Sequence, residues 1–152
     1  MVLIKIISFI IFLSTALIAD IKVVNNTGSN KSSYIKTLKG EKKIFVSSRD
    51  FGSSLSSRLY ENAERKKLVL YILGKRIKVS AGTSFLIIDD NPYQMIDAVQ
   101  EYNGDLYVPA ESFFDILRKV AIPGLRYDKR KEVLEFDVIR YNVRYLNIEE
   151  IS

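Results

Sequence analysis

Apolar residues recur along this chain in changing rhythms, and the changes of rhythm mark its parts. Met1–Ala19 is almost unbroken in Ile, Leu, Val and Phe, with Lys5 near the start and Ser8 alone interrupting Ile6–Leu13. A short positive start, an apolar stretch and a smaller, more polar end (Ser14-Thr15-Ala16, then Ala19) form the layout of a secretory signal peptide. The stretch falls short of the roughly 20 apolar residues that span a bilayer. Cleavage is expected after Ala19 or after Ala16, with retention as an N-terminal anchor as the alternative.

From Asp20 the pattern shortens. Asp20–Asn25 alternates polar and apolar and predicts a strand, and Asn26–Lys43 is polar around a possible strand at Tyr34–Leu38. Lys43–Val46 is a short strand. Ser47 then reads as a helix N-cap with Asp50 as its reciprocal partner. Phe51, Leu55 and Leu59 share one helical face, so the helix is predicted to end near Tyr60. Lys67–Leu73 reads as a strand apolar on both faces, turned by Gly74-Lys75 into Arg76–Ser80. Phe85–Asp89 and Tyr93–Glu101 form a second strand pair joined by Asp89-Asp90-Asn91-Pro92.

Asn103-Gly104 is the strongest hairpin turn, because both residues tolerate positive φ. Leu106-Tyr107-Val108 follows as a strand. Pro109 opens a helix, Glu111 complements its positive end, and Phe113, Phe114, Leu117 and Val120 give its buried stripe. Pro123-Gly124 ends it. Leu125–Asp128 and Glu132–Val138 make a hairpin, and Arg140–Ile148 one more strand. The fold class is therefore α+β with mostly antiparallel strands.

The two helical regions repeat. Ile44–Leu55 parallels Leu106–Leu117 at an offset of 62 residues, and Lys66–Leu70 parallels Lys131–Glu135 at an offset of 65. Each unit is strand, helix, β-hairpin, about 43–82 and 105–140. One such unit cannot bury both its apolar surfaces, whereas two packed together share a core. The expected organisation is a signal peptide at 1–19, a strand and polar linker at 20–42, and an α+β domain at 43–148.

Composition narrows the chemistry. The chain has 152 residues with neither Cys nor His. Zinc sites are built mainly from thiolates and imidazoles, and Ser–His–Asp or Cys–His catalysis loses its base or nucleophile. No cofactor, metal or catalytic residue is assigned, and the ligand-binding residues stay unknown. The net charge of +5 favours acidic surroundings. The densest basic cluster, Lys129-Arg130-Lys131, reads as a solvated turn.

Asp89 and Asp90 with Asp97 are the candidates for a cation site or a carboxylate pair, with a turn as the better reading. Glu61, Glu64 and Arg65 read as a solvated segment after a helix. Tyr71 and Tyr107 are the candidate base-stacking platforms, with core packing as the default. Tyr127 beside Arg126, and Tyr141 beside Arg140 and Arg144, are candidates for stacking on sugar rings or pairing with carboxylates, against edge-strand decoration.

Leu106-Tyr107-Val108-Pro109, then Phe113-Phe114 and Leu117, then Tyr127-Asp128-Lys129 and Val133-Leu134 resemble the copper amine oxidase N-terminal-like, or stalk, domain. That family's usual "LG" helix end is replaced here by Val120 and Pro123-Gly124. Lys78–Phe85, Ile88-Asp89 and Tyr93–Met95 leading into Tyr102–Pro109 resemble the region before the catalytic domain of certain bacterial N-acetylmuramoyl-L-alanine amidases. The resemblance implies an exported, non-catalytic accessory domain of cell-wall metabolism in the periplasm or cell envelope. Its implied partners are peptidoglycan or a cell-wall protein, not nucleic acid, and the membrane only if the signal segment is retained. A free-standing exported binding or adaptor domain is the alternative. No catalytic residue of the family carries over.

Overall fold

The computed structural model describes residues 20–26, 32–40, 42–55 and 57–137. The signal-like segment 1–19 and the strand expected at Arg140–Ile148 lie outside the described residues. In chain order the elements are β1 (Ile21–Asn25), β2 (Ser33–Ile35), β3 (Thr37–Lys39), β4 (Ile44–Ser47), α1 (Ser48–Ser54), β5 (Arg58–Asn62), β6 (Lys67–Ile72), β7 (Lys75–Ser80) and β8 (Phe85–Ile88). They continue with β9 (Asn91–Gln94), β10 (Gln100–Tyr102), β11 (Asp105–Pro109), α2 (Ala110–Val120), β12 (Leu125–Asp128) and β13 (Val133–Phe136).

The strands form three sheets, β12-β13-β1-β2, β10-β11-β4-β3 and β5-β6-β7-β8-β9. The pairing is antiparallel, as expected for hairpin-connected strands, except that β1 runs parallel to β13 with Val23 opposite Leu134. Within the segment read as strand and linker, 20–42, the described strands β1, β2 and β3 pair with strands of the domain. Ile21, Val23 and Ile35 join the core shared by all three sheets and both helices. Among the described residues no helix is long and apolar enough to cross a membrane.

The first helix is shorter than its apolar spacing predicts. Ser47 caps it, its hydroxyl accepting from the Asp50 N–H at 3.0 Å. The reciprocal bond is not made. The Ser47 N–H donates to the Lys36 carbonyl, and the Asp50 carboxylate accepts from the Lys36 N–H instead. After Ser54 the helix stops, and the predicted end at Tyr60 is overturned. Gly52 and the serines at 53, 54, 56 and 57 are poor helix formers. The Ser54 hydroxyl bonds the Phe51 carbonyl, and the Ser57 N–H and hydroxyl both take the Gly52 carbonyl, so side chains displace the next helical turn. Leu59 still faces the core, but as a strand residue opposite Leu70.

The predicted turns shift by a residue or two. Leu73-Gly74, rather than Gly74-Lys75, carries the positive φ values between β6 and β7. Asp89-Asp90 does so between β8 and β9, leaving Asn91-Pro92 inside β9. The strand expected at Tyr93–Glu101 is broken, because β9 ends at Gln94 and β10 begins at Gln100. Asn103 and Gly104 turn as read, with φ of 49° and 73°. In β6 only Leu68, Leu70 and Ile72 are buried. Val69 is half-buried and Tyr71 exposed, so this strand, read as apolar on both faces, buries one of them fully.

The second helix follows its sequence signals closely. Pro109 stands at the N-cap, Glu111 in the first turn, and Arg118 and Lys119 in the last, each sign complementing the helix dipole. Phe113, Phe114 and Leu117 are buried, and Val120 packs partly against the core. Strands β4 and β11 lie side by side with Val46 opposite Val108, two residues 62 positions apart in the sequence. The hairpins after the two helices join different sheets: β5-β6 enters the five-stranded sheet, and β12-β13 pairs with β1.

Candidate functional site

The structure disperses the acidic candidates. Asp89 accepts the Arg76 N–H and pairs with Lys75, which together hold its carboxyl below the usual range. Asp90 pairs with Arg76 at 2.5 Å and with Lys78 at 3.5 Å. Asp97 pairs with Lys43 at 2.7 Å. Among the described residues no three Asp or Glu side chains gather to hold a metal. Glu61 is not part of a tail after a helix but lies in β5, while Glu64 and Arg65 sit in the β5–β6 turn.

The aromatic candidates separate cleanly. Tyr107 is buried, packed edge-on against Tyr102 with ring centroids 6.2 Å apart, and burial raises its hydroxyl pKa. Tyr127 turns inward onto Phe114 at 4.9 Å, while Arg126 points outward to Glu135 and Asp137. The pair therefore offers no shared stacking surface. Lys129–Lys131 is a turn, as read: Asp128 accepts the N–H groups of Arg130 and Lys131, and Lys129 pairs with Glu111. Tyr141, Arg140 and Arg144 lie outside the described residues.

A cavity of about 130 Å³ opens between the β5–β6 turn and the β10–β11 turn. Arg49 is its centre. The guanidinium grips both Glu61 oxygens at 2.6 and 3.1 Å and donates to the Gly104 carbonyl at 2.9 Å. The Glu61 hydrogen bond, and behind it the Asp105 charge, raise the Arg49 pKa against the opposing effect of burial. Asp105, buried beside it, accepts from the Ser47 hydroxyl at 2.5 Å and from the Leu106 N–H at 2.7 Å. Lys66 pairs with Glu101 at 2.6 Å. Arg49, Asp105 and Lys66 are each engaged, and Arg49 ties α1 to β5 and to the β10–β11 turn.

The outer face of the five-stranded sheet is different. Directly paired strand residues point to the same side. Leu70 opposite both Leu59 and Ile77, and Leu68 opposite Val79, fix the inner face against α1 and the core. The outer face then carries Tyr60, Tyr71 and Phe85, which are 62%, 41% and 46% exposed. Arg58 lies over the Tyr71 ring with its guanidinium carbon 5.2 Å from the centroid. Arg76 flanks Tyr71 on the other side through the β6–β7 register. Tyr60, Val69, Lys78, Ile87 and Pro92 succeed one another in a single row across all five strands. Tyr71 was singled out from the sequence but assigned by default to the core. Tyr60 and Phe85 were missed, because an aromatic at an outward strand position looks the same in sequence as one at an inward position.

Residues 18–122, more than half of the chain, match the model of the copper amine oxidase N-terminal domain. The chain belongs to that family. Among curated proteins and among solved structures, no match to the chain was found. The matched span of this copper amine oxidase N-terminal domain runs through α2 and ends at Ile122, before the β12–β13 hairpin. The family's name invokes copper, but the donor set does not fit it: the sequence holds no imidazole or thiol, and the described carboxylates are dispersed.

Proposed function

We propose that this chain is a non-catalytic accessory domain of an exported bacterial N-acetylmuramoyl-L-alanine amidase, working beside peptidoglycan outside the cytoplasm. The observation that carries the reading is the conjunction of family membership with a side-chain inventory lacking imidazole and thiol. Hydrolysis of the amide bond between muramic acid and the stem peptide by a zinc enzyme needs ligands of the kind this chain does not possess. What remains is folding, docking and positioning. The signal-like pattern of Met1–Ala19 supports export, and the run from Lys78 to Pro109 supports the amidase context.

Two strand–helix–hairpin units sharing one core form the architectural part of the same reading. The Val46–Val108 pairing and the shared aromatic core support it. A free-standing exported binding domain is the second reading, favoured by the open aromatic and cationic face of the five-stranded sheet.

The test joins cell fractionation to a zymogram. The natural gene product, detected by antibody, is expected in the envelope fraction, with a reading frame that continues into a domain carrying zinc-spaced His and Glu. The 152-residue chain alone is expected to leave peptidoglycan uncleared. Chelator-sensitive clearing by this chain would overturn the accessory reading. A frame without a hydrolase domain would favour the free-standing reading.

A further inference from the structure

We infer that the outer face of the five-stranded sheet is a docking surface for a linear, carboxylate-bearing glycan strand. Aromatic groups and positive charge share that face. Tyr60, Tyr71 and Phe85 are exposed on one face, although a sheet of this size has an inner face able to take such residues. Their exposed rings leave apolar surface in water that a bound ligand would cover.

Charge defines the occupant. Arg58, Lys67, Arg76 and Lys78 all stand at outward positions. The only acidic residue within these five strands is Glu61, which lies opposite Leu68 on the other face and is held by Arg49. Asp90, at the β8–β9 turn, offsets part of the charge on Arg76 and Lys78. Among the described residues no carboxylate lies within ion-pair distance of Arg58 or Lys67. The face therefore attracts anions while offering flat rings.

Pyranose rings suit such a surface. Their axial C–H groups carry slight positive charge and stack on the negative face of an aromatic ring, while ring carboxylates meet guanidinium and ammonium groups. The row from Tyr60 to Pro92 crosses five strands, about 19 Å at the usual strand spacing. That length takes several sugars of an extended chain. A nucleic acid presents much denser charge, one per roughly 1.7 Å of duplex, than four cations partly offset by Asp90 are suited to neutralise. The assignment of a glycan rather than a nucleic acid rests also on the extracytoplasmic reading above.

The experiment is a calorimetric titration of the full chain at low salt with oligogalacturonate, a linear carboxylated glycan. Its methyl ester, which keeps the rings and loses the charge, is the matched control. Saturable binding is expected, at least tenfold weaker for the ester. The double variant Tyr60→Ala/Tyr71→Ala and the double variant Lys67→Ala/Lys78→Ala should each lose at least tenfold, with circular dichroism unchanged. Tyr34→Ala, an exposed tyrosine on a different sheet, should bind as the parent does. No binding, equal binding of the ester, or undiminished binding by the tyrosine double variant would each overturn the inference. Tighter binding of oligothymidylate than of oligogalacturonate would overturn it in favour of nucleic acid. Envelope localisation without glycan binding sinks this inference and leaves the accessory reading standing. Glycan binding by a chain found in the cytoplasm does the reverse.

Discussion

Phe51 and Phe113, which stand 62 residues apart in the sequence, meet edge to face in the core, their ring centroids 5.2 Å apart and their planes at 80°. Each is the first buried aromatic of its helix, and each is completely shielded from water. The geometry places the positive edge of one ring on the negative face of the other. Phe114 touches both rings and passes the contact on to Tyr127. The two helices are thus joined through the same position of their sequence pattern.

This contact makes the first prediction. Phe51→Leu and Phe113→Leu keep most of the volume and should allow folding, whereas either alanine variant should cost about 3–5 kcal/mol. A double-mutant cycle with the leucine variants, read from urea unfolding, is expected to give a coupling of about 0.5–1.5 kcal/mol. A coupling indistinguishable from zero would show that the two rings pack independently.

Ser47 serves two partners, and its loss should exceed the cost of an ordinary cap. Its oxygen accepts the Asp50 N–H, and its proton goes to the buried Asp105 carboxylate. Removing a cap costs about 1 kcal/mol, and a hydrogen bond to a charged group about 1.5–3 kcal/mol. Ser47→Ala should therefore destabilise by roughly 2–4 kcal/mol in denaturant melts. Ser47→Thr, which keeps the hydroxyl, should recover most of that. A loss no larger than a simple cap would mean that Asp105 finds another donor.

The sequence revealed elements whose signals are local and concealed those set by distant chain. Asn103-Gly104 and Pro109 each dictate their own backbone, and α2 has an apolar stripe long enough to identify. The end of α1 was hidden because Leu55 and Leu59 satisfy a helical period while Leu59 also satisfies a strand's. The serine hydroxyls and the pairing of Leu59 with Leu70 decide between the two. The parallel pairing of β1 with β13 leaves no local trace, since its partners are over a hundred residues apart. The outer sheet face was half legible. Tyr71 was noticed, yet its sidedness depends on the register of β5, β6 and β7, which no single segment encodes.

Gly124 is required by close approach rather than by its dihedral angles. A Cβ there would stand 1.9 Å from the Asp137 carbonyl oxygen, a backbone atom held by the hydrogen bond from the Asp137 N–H to the Gly124 carbonyl. Flexible side chains can yield to a new methyl group, but a paired backbone yields only by breaking its pairing. Gly124→Ala is therefore expected to reach or pass the upper end of the usual 1–3 kcal/mol overpacking cost. It should also raise amide exchange at Asp137 and Phe136 selectively. An unchanged melting temperature would contradict the predicted clash.

Tyr127 should make the domain sensitive to alkali over a narrow window. Its ring is packed on Phe114 and its hydroxyl is buried without a hydrogen-bond partner among the described residues. Burial, with Glu132, Glu111 and Asp128 adding negative charge nearby, pushes its pKa from 10.0 up to about 12. The neutral phenol is the form the fold accepts. Below about pH 10 both folded and unfolded chains hold the proton, and Tyr127 gives no pH dependence. Between about pH 10 and 12 the unfolded chain releases it first, so the folded state binds more protons and stability falls as pH rises. Tyr127→Phe removes the ionisation and an unpaired hydroxyl together. It should leave stability at neutral pH equal or slightly higher, since no buried polar group is then left unmatched. Every other effect of alkali is common to both proteins. The difference between parent and variant isolates the tyrosine. Urea melts at steps across pH 8–12 should therefore run parallel at first and diverge above about pH 10. Curves that stay parallel throughout would show that the Tyr127 hydroxyl ionises in the folded chain as freely as in the unfolded one.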